Sequence, residues 1–376
     1  MADEAPERAV VEQQIGKRET AKAAAKAEEK PMSAEEVVDA VRQEVSGKAS
    51  WAAYQTDQRF DCVGGLTTLE TPFLFRAGES NVTLDGWRGV VERQGDNARP
   101  VRVGVLSAIK DRYPDTLMNL TEFIAWFDQE RVDLIVLNGD VAYESDDMAL
   151  ILEHVARSPR PIWVVPGNAD PVSGFNLALR QLSGRYPNLI SGSFVRLLQV
   201  GKVALVSLPG YYDPRFIAGG GGCQYYPDDV KQIADLVKRS KGVPVLVSHG
   251  PPKGNHPNDL DYAFDAGNVG DPNINAVMKS ASIRFGIFGH ILESGGRVLK
   301  GTNGKTVDPG DWSRRLWVNA GSVSSVEQDL HDGSGSEERF PRDCDQNHGL
   351  HIGALKARLQ APLPLNYNQV GRCAGK

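Results

Sequence analysis

The sequence predicts an α/β fold, and three observations carry that expectation. Between residues 101 and 290 lie six apolar runs, five of which lead into Gly, Asp, Asn or His. Stretches with helical spacing separate several of these runs. Polar residues therefore collect at the carboxyl ends of buried strands, where open α/β sheets place their sites.

Residues 1–50 are expected to form a flexible or helical arm, rich in Ala, Glu and Lys (ETAKAAAKAEEK) and poor in surface worth burying. Within it MSAEEVVDAVRQEV reads as an amphipathic helix, opened by a capping box between Ser33 and Glu36. That helix is one candidate contact for a protein partner. Residues 51–100 form a small β-rich lead-in, with short strands expected in the turn-rich FLFRAGESNVTLDGW. The main domain spans 101–325. Its strands are VRVGVLS, VDLIVLNGD, PIWVVPGN, KVALVSLPG, VPVLVSHG and IRFGIFGH; its helices are TLMNLTEFIAWFDQE, MALILEHVARS and DDVKQIADLVKRS. An insertion at 211–229, YYDPRFIAGGGGCQYYPDD, holds four consecutive glycines and two Tyr pairs. It reads as too flexible for core: a surface loop, a lid or a second partner contact. Residues 326–376 are polar and Gly/Ser-rich at their start, a linker and tail with a final strand expected at GLHIGAL.

Composition narrows the function classes. A net charge of −6 over 376 residues and a pI near 5.7 leave no basic stripe for neutralising nucleic-acid phosphates. No apolar run approaches the roughly 20 residues a membrane-spanning helix needs, and MADEAPERAVVEQQ lacks the features of a signal peptide. Cys62, Cys223, Cys344 and Cys373 lie far apart without a CxxC pair, which gives little support to disulfides. The expectation is a cytoplasmic protein with reduced thiols.

Four strand ends carry candidate ligands: Asp140 in NGD, Asn168 in PGNAD, His249 in VSHG and His290 in FGH. Taken singly, they read as a helix cap, a turn residue and satisfied histidines. Taken together, a carboxylate, an amide oxygen and two imidazoles suit one divalent Mn, Fe or Zn better than Ca.

In order and spacing these motifs resemble the calcineurin-like metallophosphoesterases, whose pattern runs D-x-H, G-D, G-N-H-D/E, H and G-H-x-H. The matching segments are SAIK (Ser107 to Lys110), Gly139–Asp140, GNAD (Gly167 to Asp170), SHGPP (Ser248 to Pro252) and GHILE (Gly289 to Glu293); NAGSV from Asn319 resembles the segment that follows. The resemblance covers about Val101 to Val323. It implies a two-sheet β-sandwich flanked by helices and a two-metal phosphoesterase site. The second metal would be held by Asp140, Asn168, His249 and His290, all retained. The first metal's positions are Ala108, Lys110 and Leu292, and the transition-state His is Ala169. The first site is thus stripped.

Two ions together acidify a bridging water and clamp the phosphoryl oxygens. Losing one, along with a proton-transfer group, points to an inactive or strongly impaired phosphoesterase that works as a binding, scaffold or regulatory protein. The alternative is a single-metal phosphodiesterase or phosphatase. The cofactor is then one divalent metal or none. Lys110 has two readings: a plug that pairs with Asp140, or an electrostatic aid that helps a metal hold a phosphate-containing ligand. Asp111 and Glu144 are candidates to rebuild the lost ligands. Lys253 and His256, in the loop after His249, are candidate anion contacts.

Overall fold

The computed structural model describes residues 33–95, 99–219, 221–308, 311–326 and 330, together with the strands 354–359 and 365–370. Most of the Ala/Glu/Lys-rich arm and of the 326–376 tail lies outside the described residues.

Helix α1 (Ala34–Asp57) opens with the capping box. Ser33 Oγ accepts from the Glu36 amide at 3.2 Å, and the Glu36 carboxylate accepts from the Ser33 amide at 2.7 Å. In its first turns Val37, Val38, Val41 and Val45 are exposed. Chain contacts divide the protein after Ser46. From Gly47 onward the helix belongs to the larger unit: a Cβ on Gly47 would meet Pro72 O at 2.5 Å, and Trp51 stacks on Phe73.

Among the described residues the strands of that unit build two large sheets. The first takes β4 (Val101–Leu106), β5 (Leu134–Asn138), β6 (Ile162–Val165) and β7 (Leu189–Ser191), all parallel neighbours. The second runs β1 (Phe73–Ala77), β2 (Ser80–Asp85), β3 (Arg88–Arg93), β8 (Leu197–Val200), β9 (Val203–Leu208), β10 (Val243–Ser248), β13 (Phe285–Phe288), β16 (Leu316–Asn319) and β14 (Val298–Leu299). Its centre, from β9 to β16, is parallel. The lead-in strands β1 to β3 thus extend this sheet. A short pair, β11 (Tyr262–Ala263) and β12 (Gly267–Asn268), sits apart. Strands β17 (Ala354–Leu359) and β18 (Leu365–Val370) pair antiparallel, β17 joining β4 and β18 meeting β15 (Trp312–Ser313).

Side-chain alternation explains the layering. Val103, Val105, Val136 and Trp163 share one core with Leu205, Val247, Ile287 and Val318, so the two sheets face each other across it. The opposite face of the first sheet, with Leu137 and Val164, packs on α2 (Pro114–Gln129), α3 (Ser145–Ala156) and α4 (Val172–Leu182). On the second sheet Val206 and Leu246 pack on α5 (Pro227–Arg239) and α6 (Pro272–Ser280). The result is the two-sheet sandwich flanked by helices that the motif order implies.

One expectation is corrected. Cys62 and Cys223 form a disulfide across 161 residues of sequence, a separation that spacing rules cannot see. Among the described residues no helix is long and apolar enough to cross a membrane.

Candidate metal centre

Parallel strands deliver their carboxyl ends to one edge, and here both sheets do so at the same place. Asp140 and Asn168 follow β5 and β6 of one sheet; His249 and His290 follow β10 and β13 of the other. Close approach needs glycine beside them. A Cβ on Gly139 would lie 2.1 Å from His249 Nδ1, and one on Gly167 would lie 2.4 Å from Asp140 Oδ1. Asp140 and His290 themselves adopt positive φ, 53° and 68°, as do Ala108 and Lys110 at 47° and 66°. Non-glycine residues seldom take this conformation, and strain of this kind concentrates at functional sites.

His249 lies 3.1 Å from Asp140 and beside His290, and the backbone on either side of Asn168, at Gly167 and Ala169, lies against the Asp140 carboxylate. His249 Nδ1 donates to Asn138 O at 3.0 Å, because a carbonyl can only accept. That leaves Nε2 at 3.1 Å from Asp140 Oδ1, too poorly aligned for a hydrogen bond. Asp140 Oδ1 accepts from the Ala169 amide at 3.1 Å. Asn168 Nδ2 donates to Phe216 O at 2.6 Å, which leaves its buried Oδ1 without a hydrogen-bond partner. The His290 ring lies 5.4 Å from that of His249 and 4.0 Å from that of Tyr211, centre to centre.

Charge and burial set the protonation states. Burial alone would raise the Asp140 carboxyl, but His249, Lys110 and His290 outweigh it and hold it well below the usual range. For His249 burial opposes the charge, yet the facing carboxylate draws its imidazolium upward. His290 is depressed to about 3, by burial first and by His249 next, and stays neutral.

Asp170 is a residue that sequence reasoning did not single out. Fully buried, it accepts from the amides of Gly167 at 2.7 Å, Val141 at 2.7 Å and Ala142 at 3.0 Å. It therefore ties the Asp140 loop to the Asn168 loop. Burial, and then Asp140, push its carboxyl up to about 7. Its place at the end of GNAD was the available signal.

The emptied side keeps its backbone bonds. The Ala108 amide donates to Gly139 O and the Lys110 amide to Asp140 O, each at 3.0 Å. Ala108 and Ala169 are buried, while Leu292 sits half-buried in a short 3₁₀ turn. The Lys110 ammonium lies 5.5 Å from the centre of the Tyr143 ring, and its charge acts on both Asp140 and His290. Asp111 accepts from Ser324 Oγ and from the Tyr113 amide, and Glu144 is exposed at the start of α3.

In the loop after His249, Lys253 donates to Asn268 O and His256 Nδ1 accepts from the Asn258 amide. Both are exposed and bonded within their own loop rather than to the Asp140 cluster.

The reading of 211–229 as too flexible for core is corrected. Tyr211, Cys223 and Tyr225 are fully buried. Tyr211 is held between His290 and Gly250, where a Cβ would meet its ring at 2.5 Å, and its hydroxyl donates to Val269 O at 2.7 Å. Tertiary contact, not local propensity, orders this segment.

No curated protein matches the chain. A dimetal phosphatase from Danio rerio is 12% identical, with a TM-score of 0.45 over 72% of this chain and 96% of that one. GAP50, the anchor in the inner membrane complex of Plasmodium, is 13% identical with a TM-score of 0.44 over 74% and 87%. The purple acid phosphatase PPD1 of yellow lupin (Lupinus luteus) is 12% identical with a TM-score of 0.46 over 78% and 58%. The profile described as calcineurin-like phosphoesterase matches residues 103–294, just over half of the chain, from β4 through the turn after His290. By that match the chain belongs to the calcineurin-like phosphoesterase family.

Proposed function

We propose that this chain is a metallophosphoesterase-fold protein whose hydrolytic chemistry is strongly impaired and which works by binding a phosphate-containing ligand or a protein partner. The observation that supports it is the occupant of the stripped side. Buried Ala108 offers no donor atom, Leu292 is apolar, and the Lys110 cation acts on Asp140 where the family would place a divalent ion. A fixed single charge neutralises the carboxylate but cannot acidify a bridging water. Ala169 offers no proton for a leaving group.

The retained side supports a reading with one divalent ion. Asn168 Oδ1 is a buried oxygen without a hydrogen-bond partner, and His249 Nε2, also without one, faces the Asp140 carboxylate. Buried polar atoms are rarely left so unless something else satisfies them. Among the described residues no group of three or more His, Cys, Asp or Glu side chains is arranged to hold a metal ion as it stands, so binding would require Asp140, Asn168, His249 and His290 to draw together. With His290 neutral, two imidazoles, one carboxylate and one amide oxygen would take Mn, Fe or Zn. Such an ion would supply Lewis acidity toward a phosphate oxygen; Lys110 contributes a cation that acts on Asp140 and His290, and Asp170 holds the loops that carry Asp140 and Asn168.

The same unsatisfied atoms favour the second reading, a single-metal phosphodiesterase or phosphatase. Metal content after Mn²⁺ or Zn²⁺ loading tests the first step without guessing a substrate. About one ion per chain, lost in His290→Ala, is the expected result; two ions in the native chain would overturn the stripped-site argument. Turnover of an aryl phosphodiester that disappears in His249→Ala would replace the binding reading with the enzymatic one.

Partner docking draws its support from the exposed valines of α1. The exposed Tyr226 at the start of α5 is the corresponding feature of the 211–229 segment.

A further inference from the structure

Two of the four candidate ligands, Asn168 and His290, are touched by one strap of chain, residues 210–219 and 221–225. The strap is laid along 166–172. The Gly210 amide donates to Pro166 O at 2.8 Å, the Ala218 amide to Asn168 O at 3.1 Å, and the Val172 amide to Gly221 O at 3.0 Å. From the strap, Phe216 O accepts the Asn168 side-chain amide, and the Tyr211 ring covers His290. Four consecutive glycines at 219–222 make this a segment whose ordering costs more backbone entropy than most.

The disulfide supplies an anchor directly after those glycines. Cys223 is fully buried; Cys62 is half-buried and reachable from solvent. The Cys62 end is itself fixed, because Asn176 Nδ2 gathers the carbonyls of Gln58, Arg59 and Asp61 at 3.3, 3.2 and 2.9 Å. A covalent tie thus runs from a fixed segment to the strap that orients Asn168 and His290.

We propose that the Cys62–Cys223 disulfide is a reducible lock on the metal centre, opened by a dithiol. A thiolate of the dithiol attacks the sulfur of Cys62, the less buried of the two cysteines. The S–S bond breaks, its electron pair leaves on Cys223 sulfur, and that sulfur takes a proton. The second thiol of the dithiol then displaces Cys62 as the reductant closes to its own disulfide, so the chain gains two electrons and two protons. Freed of its anchor, the glycine run lets go of the Asn168 side, and the Phe216 carbonyl no longer sets the amide's orientation.

The test is amide hydrogen exchange on the full, metal-free chain, oxidised and then reduced with a phosphine that is removed before measurement, with thiol titration to verify reduction. Expected are rates about tenfold or more faster at the Ala218 and Gly222 amides, and a parallel rise at Ala169, which bonds to Asp140. Val136 and Val247 in the central strands should not change. Cys62→Ser, which leaves the buried Cys223 in place, should show the loosened pattern under oxidising conditions and no further response to reduction. Unchanged exchange at Ala218 and Gly222 overturns the lock. Loosening that stops short of Ala169 makes the bond a local staple and overturns it too, as does a reduction effect that persists in Cys62→Ser. The proposal draws on the half-site reading only for what the lock controls. A chain that takes up no metal in either redox state defeats that reading, while the exchange result still decides the lock.

Discussion

Ala108 and Lys110 on one side of Asp140, and Asn168, His249 and His290 on the other, stand on backbone of the same kind. Both sides sit where parallel strands end, both include non-glycine residues at positive φ, and both are tied to Gly139 or Asp140 by short bonds. They differ in their side chains. The retained side has buried donor atoms without hydrogen-bond partners; the stripped side has a methyl group, an ammonium over a tyrosine ring and a leucine. The difference teaches that the fold itself dictates the strained turns, whereas the metal dictates only the atoms that point from them. The strained turns therefore persist where the ligand atoms have gone.

The strongest way to break this comparison is to restore the missing atoms. Ala108→Asp, Lys110→His and Leu292→His together should raise the metal content from about one ion per chain to two, read by elemental analysis after Mn²⁺ loading. Asp tolerates the left-handed conformation at 108 better than Ala does, so that backbone needs no adjustment. A triple variant that stays folded yet holds no additional ion would show that the two sides differ in more than side chains. A smaller effect is expected from Lys110→Met. Removing a cation that acts on Asp140 and His290 should tighten divalent-ion binding on the order of tenfold or more, since like charges repel strongly where water is scarce. Titration calorimetry with Mn²⁺ reads this directly. Weaker binding in the variant would mean that Lys110 organises the retained side rather than opposing its ion.

Much of the retained side was legible because its information is local. Buried parallel strands are near-continuous apolar runs, so VDLIVLNGD and VPVLVSHG mark both the strand and the residue that leaves it. The capping box of α1 is local in the same sense. What escaped depends on contacts across the chain. Four glycines in 219–222 spell flexibility, yet Tyr211 is fixed by Gly250 and His290, and Cys223 by Cys62. Asp170 looks like one more turn residue until its three amide partners, from two different loops, are seen. Lys253 looks free to meet an anion until Asn268 is found beside it.

The finest discrimination between the two sides comes from pH, in the metal-free chain. His290 is depressed to about 3, against an ordinary imidazole value of about 6.5. Between those values the unfolded chain binds a proton that the folded chain refuses, so His290 makes stability fall as pH falls. Asp170 works in the opposite sense. Its folded value of about 7 lies above an ordinary carboxyl value near 4, so its contribution is fully present below 4 and is lost as pH rises toward 7. Over roughly pH 4 to 6.5 the two slopes oppose each other, and their sum should be nearly flat. His290→Gln removes one of them. Its stability relative to the native chain should then improve by about 1.4 kcal/mol for each pH unit of acidification, the value of one proton, as read from urea unfolding in the presence of a chelator. A stability difference that stays constant with pH would mean that His290 accepts a proton in the folded chain, and so is not held neutral beside His249 and Lys110.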